Sequence, residues 1–244
     1  MPKLKRHDGR RADELRPVTI HPNFVSTADG SCLIETGGTR VICTACFVAG
    51  VPDWLEGRGA GWVTAEYGML PGCGGGRKGR PILRPDGRSV EIQRLIGRVL
   101  RSGVRMAKLG ANTIYLDCDV LEADGGTRTA AITGAYVALA LAIRRAAAAG
   151  KCDAAALGGA VAAVSVGIVK GSPLLDLDYS EDSAAEVDMN VAMTSGGRFV
   201  EVQATAERAA FDSDGLSAML RLAAKGVRKL LPIQRSAIER GLRK

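Results

Sequence analysis

Two short stretches of this 244-residue chain hold side chains that could do chemistry together. The first, Gly125-Gly126-Thr127-Arg128, stands where an apolar and acidic strand-like segment gives way to an alanine-rich run with no visible break. The first amides of a helix lack partners, and its dipole presents partial positive charge there. Glycines let an anion approach that backbone, a threonine hydroxyl adds a donor, and an arginine supplies a charged fork. A plain strand-to-helix turn would read the same way. The stretch is neither a G-x-x-x-x-G-K-[ST] loop nor a G-x-G-x-x-G turn, so free phosphate suits it better than a nucleotide.

The second stretch, "LLDLDYSEDSAAEVDMN", places Asp176, Asp178, Glu181, Asp182, Glu186 and Asp188 within thirteen residues. Strand alternation would put Asp176 and Asp178 on one face. Asp182 and Asp188 flank a short polar segment. Acid clusters are often solvated loops, but in a chain of net charge +7 this concentration suits a divalent-metal or general-acid site. His7 and His21 are the only histidines and both lie near the N-terminus. With no G-x-S-x-G elbow, a Ser-His-Asp triad has little support.

The elements that must position these groups alternate between strands and helices. Residues 1–17 read as a basic arm that docks on the body. "SCLIETGGTRVICTACFVAG" reads as a hairpin turning at Gly37-Gly38, and "GWVTAEY" as a further strand. Residues 72–87, with six glycines and the four basic residues Arg77, Lys78, Arg80 and Arg84, read as a flexible basic loop. Ile92, Leu95, Ile96, Val99, Leu100 and Val104 recur at helical spacing among arginines, an amphipathic helix with a basic outer side. "NTIYLDCDVL" alternates as a strand, and a long helix follows from about Thr129. Strands are expected at "AVAAVSVGIV", "PLLDLDY", "DMNVAMT" and "RFVEVQATA", then a terminal helix from about Ser213 to Leu231 and on past Pro232. This pattern predicts a mixed α/β or α+β architecture. No Pro/Ser-rich linker divides it, so residues 1–244 are expected to form one domain.

The composition, 46% hydrophobic and 24% charged, belongs to a folded globular chain. No uninterrupted apolar run reaches the roughly 18 residues of a membrane span. No membrane association and a cytoplasmic location are therefore expected. The six scattered cysteines fit free thiols in a reducing compartment. Cys43 and Cys46 form a C-x-x-C, but on a strand they point to opposite faces, which argues against zinc or redox chemistry. The excess of 33 Lys and Arg over 26 Asp and Glu favours an anionic partner. A phosphate cradle, paired carboxylates and basic surfaces together suit phosphoryl chemistry on a nucleic-acid backbone.

"LRPVTI" (15–20), "GWVTAEYGMLP" (61–71), "VEIQRLIGR" (90–98), "LDCDVLEADGGTRTAAITGAYVAL" (116–139), "VSVGIV" (164–169), "LDLDYSEDSAAEVDMNVAMT" (175–194) and "GRFVEVQATAE" (197–207) resemble bacterial ribonuclease PH over nearly the whole chain. The resemblance implies a fold like domain 2 of ribosomal protein S5, assembled as a homohexamer, a trimer of dimers. It implies that inorganic phosphate attacks the 3′-terminal phosphodiester of tRNA precursors, and of rRNA as a further substrate, releasing nucleoside diphosphates with Mg²⁺ (or Mn²⁺). Matched residue by residue, it implies phosphate binding by Arg88, Gly126, Thr127 and Arg128. It implies catalysis and metal binding by Asp182 and Asp188, with Asp176 as a helper at the metal. Arg88 is the one member of this set that the residue pattern does not single out.

Two departures stand out. Where the family carries a loop associated with tRNA contact, this chain has "GCGGGRKGRPILRPDG", whose Arg77, Lys78, Arg80 and Arg84 keep positive charge for RNA. Ala204 stands where glycine is usual. A catalytically silent RNA-binding ring subunit is the alternative reading, and a metabolite-phosphate enzyme on a related fold is a third. The complete residue set argues for activity, and the basic loop and helix argue for RNA.

Overall fold

The computed structural model describes residues 6–77, 79 and 86–243. Part of the basic loop, including Lys78, Arg80 and Arg84, therefore lies outside the described residues; Arg77 lies within them and is exposed. The Gly37-Gly38 turn joins β2 (Gly30–Thr36) to β3 (Thr39–Ala49), and β1 (Val18–Pro22) pairs with the other edge of β2. β4 (Trp62–Met69) leads to α1 (Gly87–Arg101), the short α2 (Met106–Leu109) and β5 (Asn112–Glu122). β5 inserts between β3 and β4, giving a sheet of order β1-β2-β3-β5-β4 in which only the β4–β5 pair is parallel.

The second sheet, of order β7-β6-β8-β9, is antiparallel throughout: β6 (Val161–Val169), β7 (Ser172–Leu175), β8 (Val187–Thr194) and β9 (Phe199–Ala206). Between the sheets in sequence runs α3 (Thr127–Ala148), two residues earlier at its start than periodicity suggests. α4 (Tyr179–Asp182) is a single turn, and α5 (Ser213–Leu242) continues unbroken past Pro232.

α3 packs on β2, β3 and β5 of one sheet and on β6 of the other. Its alanines and its one glycine allow close approach: a Cβ at Gly134 would meet Ile34 Cγ2 at 2.7 Å and Cys43 Sγ at 2.9 Å. By length and hydropathy α3 is apolar enough to cross a membrane, but 83% of its most apolar window is buried in the protein. Its hydrophobic surface is consumed by the core, where Ile132, Leu139, Leu141 and Ile143 are wholly enclosed. A second core, built on Val164, Val166, Met189 and Val191, is closed by Met219, Ala223 and Val227 of α5.

Cys43 is buried and Cys46 exposed, as alternation requires. Cys32, Cys43 and Cys118 stand side by side across β2, β3 and β5. Contact with its two neighbours, and then burial, pushes the Cys43 thiol well up.

"PLLDLDY" departs from the expected strand. β7 ends at Leu175, Asp176 adopts a left-handed φ of 54°, and Asp178 caps α4. Asp176 and Asp178 therefore do not share a strand face. The cause is the N-terminal arm, which replaces sheet pairing with side-chain contacts. The buried Arg6 grips Glu181 through Nε and Nη2 at 2.7 and 2.5 Å, and donates to the carbonyls of Leu175 and Asp176 at 2.8 and 2.9 Å. His7 Nε2 lies 2.7 Å from Asp178.

Candidate active site

The turn at Gly125-Gly126 is set by backbone conformation. Gly125 and Gly126 have φ of 71° and 65°, which side chains disfavour. A Cβ at Gly125 would also sit 2.7 Å from Leu177 O and 2.9 Å from Tyr179 N. Glycine is thus what lets the mouth of α3 lie directly on the acidic segment. Gly126 caps α3 without a side chain, so its first amides are left for another acceptor. The Tyr67 hydroxyl donates to Thr127 Oγ1 at 2.9 Å, which directs the threonine's own hydrogen elsewhere. Burial raises Tyr67 and keeps it a neutral donor.

Arg128 leaves the first turn of α3 and donates from Nη1 to Gln203 of β9 at 3.1 Å, with Glu91 of α1 at 3.8 Å. Arg88 stands in the first turn of α1, whose start is fixed by Asp86 accepting from the Ser89 amide and hydroxyl, both at 2.8 Å. Asp182 ends α4, whose start is locked by the reciprocal capping of Asp178 and Glu181. Burial opposes the charge on Asp178, yet hydrogen bonds from Ser180, Glu181 and His7 outweigh it and pull its carboxyl down to about 2.

Asp188 lies on β8, opposite Gly167 of β6 and Thr205 of β9. The structure brings it together with Arg88, Gly126, Thr127, Arg128 and Asp182 around one cavity of about 430 Å³. Burial, then the charge of Asp182, raises Asp188 to about 6 against the pull of Arg128 and a hydrogen bond from Asn190. Asp182 is raised by burial, while Arg88 and Arg128 work the other way. Arg88 and Arg128 therefore share the open end of a helix with Asp182 and Asp188, in a cavity that Arg208 and Glu207 also line.

Asp176, expected as a third carboxylate at a metal, does not line this cavity. It is 3% exposed, and its two oxygens take Arg16 Nε and Nη2 at 3.1 and 2.7 Å as well as the Arg16 amide at 2.8 Å. It anchors Arg16 and is not among the residues around the cavity. Arg16 extends to the carbonyls of Asp124 and Gly125, while Asp124 accepts from the Tyr179 amide at 3.2 Å. This buried arginine joins the glycine turn to the acidic segment.

Ser165, Ser183, Asn190, Glu207 and Arg208 also line the cavity, and the residue pattern does not point to them. Asn190 is two positions from Asp188 on a strand, a spacing that places both on one face and offers a signal. Arg208 carries none; it closes the rim by donating to the Ser183 carbonyl at 3.1 Å. Among the described residues no group of three or more His, Cys, Asp or Glu side chains converges as a ready-made metal site.

Residues 14–144 match the model of the 3′ exoribonuclease family, domain 1, and residues 159–226 that of domain 2. The chain belongs to the 3′ exoribonuclease family, the RNase PH type. Its fold is similar to that of rice (Oryza sativa) Rrp46, with a TM-score of 0.78 at 16% identity over 96% of this chain and 100% of that one. It is also similar to a structure titled as the Archaeoglobus fulgidus exosome with RNA bound to the active site, with a TM-score of 0.76 at 23% identity over 93% of this chain and 92% of that one. An archaeal exosome core gives a TM-score of 0.74 at 22% identity over 95% and 91% of the two chains.

Proposed function

We propose that the chain is a phosphate-dependent 3′-to-5′ exoribonuclease of the bacterial ribonuclease PH kind, acting in the cytoplasm on the 3′ ends of tRNA precursors and of rRNA. The observation that carries this reading is the single cavity in which the anion cradle of Arg88, Gly126, Thr127 and Arg128 faces Asp182 and Asp188.

Two guanidiniums, the Thr127 hydroxyl and the free Gly126 amide hold inorganic phosphate as the attacking substrate and settle its orientation before reaction. One phosphate oxygen bonds to the phosphorus of the last phosphodiester as the bond from that phosphorus to the preceding 3′ oxygen breaks. The released nucleoside keeps both phosphates, and the leaving oxygen takes its proton from one of the two carboxyls. Asp182 and Asp188 fit a hard cation, Mg²⁺ or Mn²⁺: two carboxylates that repel one another suit oxygen coordination. Two carboxylates with water and substrate oxygens completing the shell is an ordinary arrangement for Mg²⁺, which when bound would neutralise charge on the transferring phosphoryl group. A ring of six copies, with Arg77, Lys78, Arg80 and Arg84 supplying positive charge for RNA, completes the reading.

The test incubates the protein and Mg²⁺ with a tRNA carrying extra 3′ nucleotides, with and without phosphate. Nucleoside diphosphates forming only with phosphate support the reading. Monophosphates without it mean hydrolysis and overturn it, and RNA binding with no release means a silent ring subunit.

A further inference from the structure

The cavity around Asp182 and Asp188 has a third guanidinium on its wall, that of Arg208. β9 ends at Ala206, and the next two amides, of Glu207 and Arg208, both donate to the Glu186 carbonyl at 2.9 and 3.3 Å. These bonds fix the loop's backbone against the residue that precedes β8, the strand of Asp188. Glu207 lines the same wall, and its charge helps to raise both Asp182 and Asp188, so the loop lies within electrostatic reach of the two carboxylates.

The backbone is firmly mounted, but the Arg208 side chain is lightly held. It is exposed, enters no ion pair among the described residues, and rests on one neutral acceptor, the Ser183 carbonyl, at 3.1 Å from Nη2. Ser183 directly follows Asp182 and is itself exposed, so water is at hand for its carbonyl once the arginine leaves. Arg128, by contrast, already shares its charge with Glu91 at 3.8 Å and donates to Gln203 at 3.1 Å.

Phosphorolysis brings two anions into one cavity, the attacking phosphate and the phosphodiester that it attacks. The mouth of α3 with Arg88 and Arg128 serves the first. The second needs a cation on the side of the carboxylates, and Arg208, bonded to the residue after Asp182, is on that side. Exchanging a neutral carbonyl for a charged phosphate oxygen favours the arginine, because charge-assisted hydrogen bonds are roughly twice as strong.

We propose that Arg208 grips the 3′-terminal phosphodiester of the RNA, letting go of the Ser183 carbonyl to do so. The proposal rests on the reading that an RNA 3′ end enters this cavity, whether or not it is cleaved there. Its consequence is a division of labour in which Arg128 governs the use of phosphate and Arg208 the use of RNA.

The test measures binding of a 5′-fluorescein tetra-adenylate by anisotropy in Mg²⁺ without inorganic phosphate, so that no turnover intervenes. A second oligonucleotide has a neutral methylphosphonate as its last linkage, and both carry a 2′-O-methyl sugar at that linkage for stability. Wild type should prefer the charged oligonucleotide by about tenfold. Arg208→Gln keeps a donor for the Ser183 carbonyl but no charge, and should bind both oligonucleotides alike, with a salt slope lower by about 0.7. Arg208→Lys should regain most of the preference, and all three proteins should bind inorganic phosphate alike by calorimetry. Equal preference in wild type and Arg208→Gln overturns the proposal, as does a wild type that binds neither oligonucleotide. Phosphate-dependent release of nucleoside diphosphates is assayed separately; its absence in a protein that shows the Arg208-dependent preference overturns the exonuclease reading and leaves the role of Arg208 standing.

Discussion

Replacing Asp188 by asparagine should stabilise the metal-free protein at neutral pH while abolishing its activity. The folded chain holds Asp188 at about 6 against an ordinary 3.8, because burial and Asp182 disfavour its charge. As pH rises, the unfolded chain loses this proton first. The protonated carboxyl is accommodated without loss below about pH 4, and stability falls between 3.8 and about 6 as the folded state is made to bury a charge. That interval, at about 1.4 kcal/mol per pH unit, is worth about 3 kcal/mol. Asp188→Asn cannot ionise, so it should exceed wild type by up to about 3 kcal/mol above pH 7 and match it near pH 4. Urea unfolding in EDTA at both pH values measures the gap. Added Mg²⁺ should narrow it by stabilising wild type alone. An equal gap at both pH values, or a variant less stable at neutral pH, would refute the argument.

Arg128→Ala should raise the phosphate KM at least tenfold and leave RNA affinity within twofold, read from phosphate titrations and filter binding. Gly125→Ala forces a side chain into φ 71° and against Leu177 O at 2.7 Å; it should cost upward of about 1–2 kcal/mol and lose phosphate use, checked by unfolding and kinetics. Arg6→Met leaves the buried Glu181 with only the longer contact to Arg10 at 3.6 Å, and should lower stability by about 3 kcal/mol in urea titrations. Neutralising Arg77, Lys78, Arg80 and Arg84 together should flatten the salt dependence of RNA binding by a slope of about 3, from roughly 0.7 for each RNA phosphate these cations neutralise.

Elements with a clear period were legible in the residue pattern. The Gly37-Gly38 hairpin, β5, α1 and the long α5 each follow from local alternation or helical spacing. Both halves of the cavity were also visible, because glycines before a helix and aspartates around Asp182 are local signals. What joins the halves was not visible. Arg16 meets Asp176 across 160 residues and Arg6 meets Glu181 across 175, and such pairings leave no local period. The same long-range contacts explain why Asp176 misleads: alternation in "LLDLDY" is genuine, but Arg16 and Arg6 offer its backbone and carboxylate better partners than a sheet.

That clasp also sets a timetable. Arg6 leaves the ribosome early, while Glu181 follows 175 residues later, roughly 9–35 s at 5–20 residues per second. During that interval the arm carries unpaired arginines and the glycine turn has nothing to lie against. The cavity around Arg128, Asp182 and Asp188 is therefore among the last parts of the chain to exist. A nascent or truncated product that ends before residue 181 holds the glycine turn but lacks both Asp182 and Asp188.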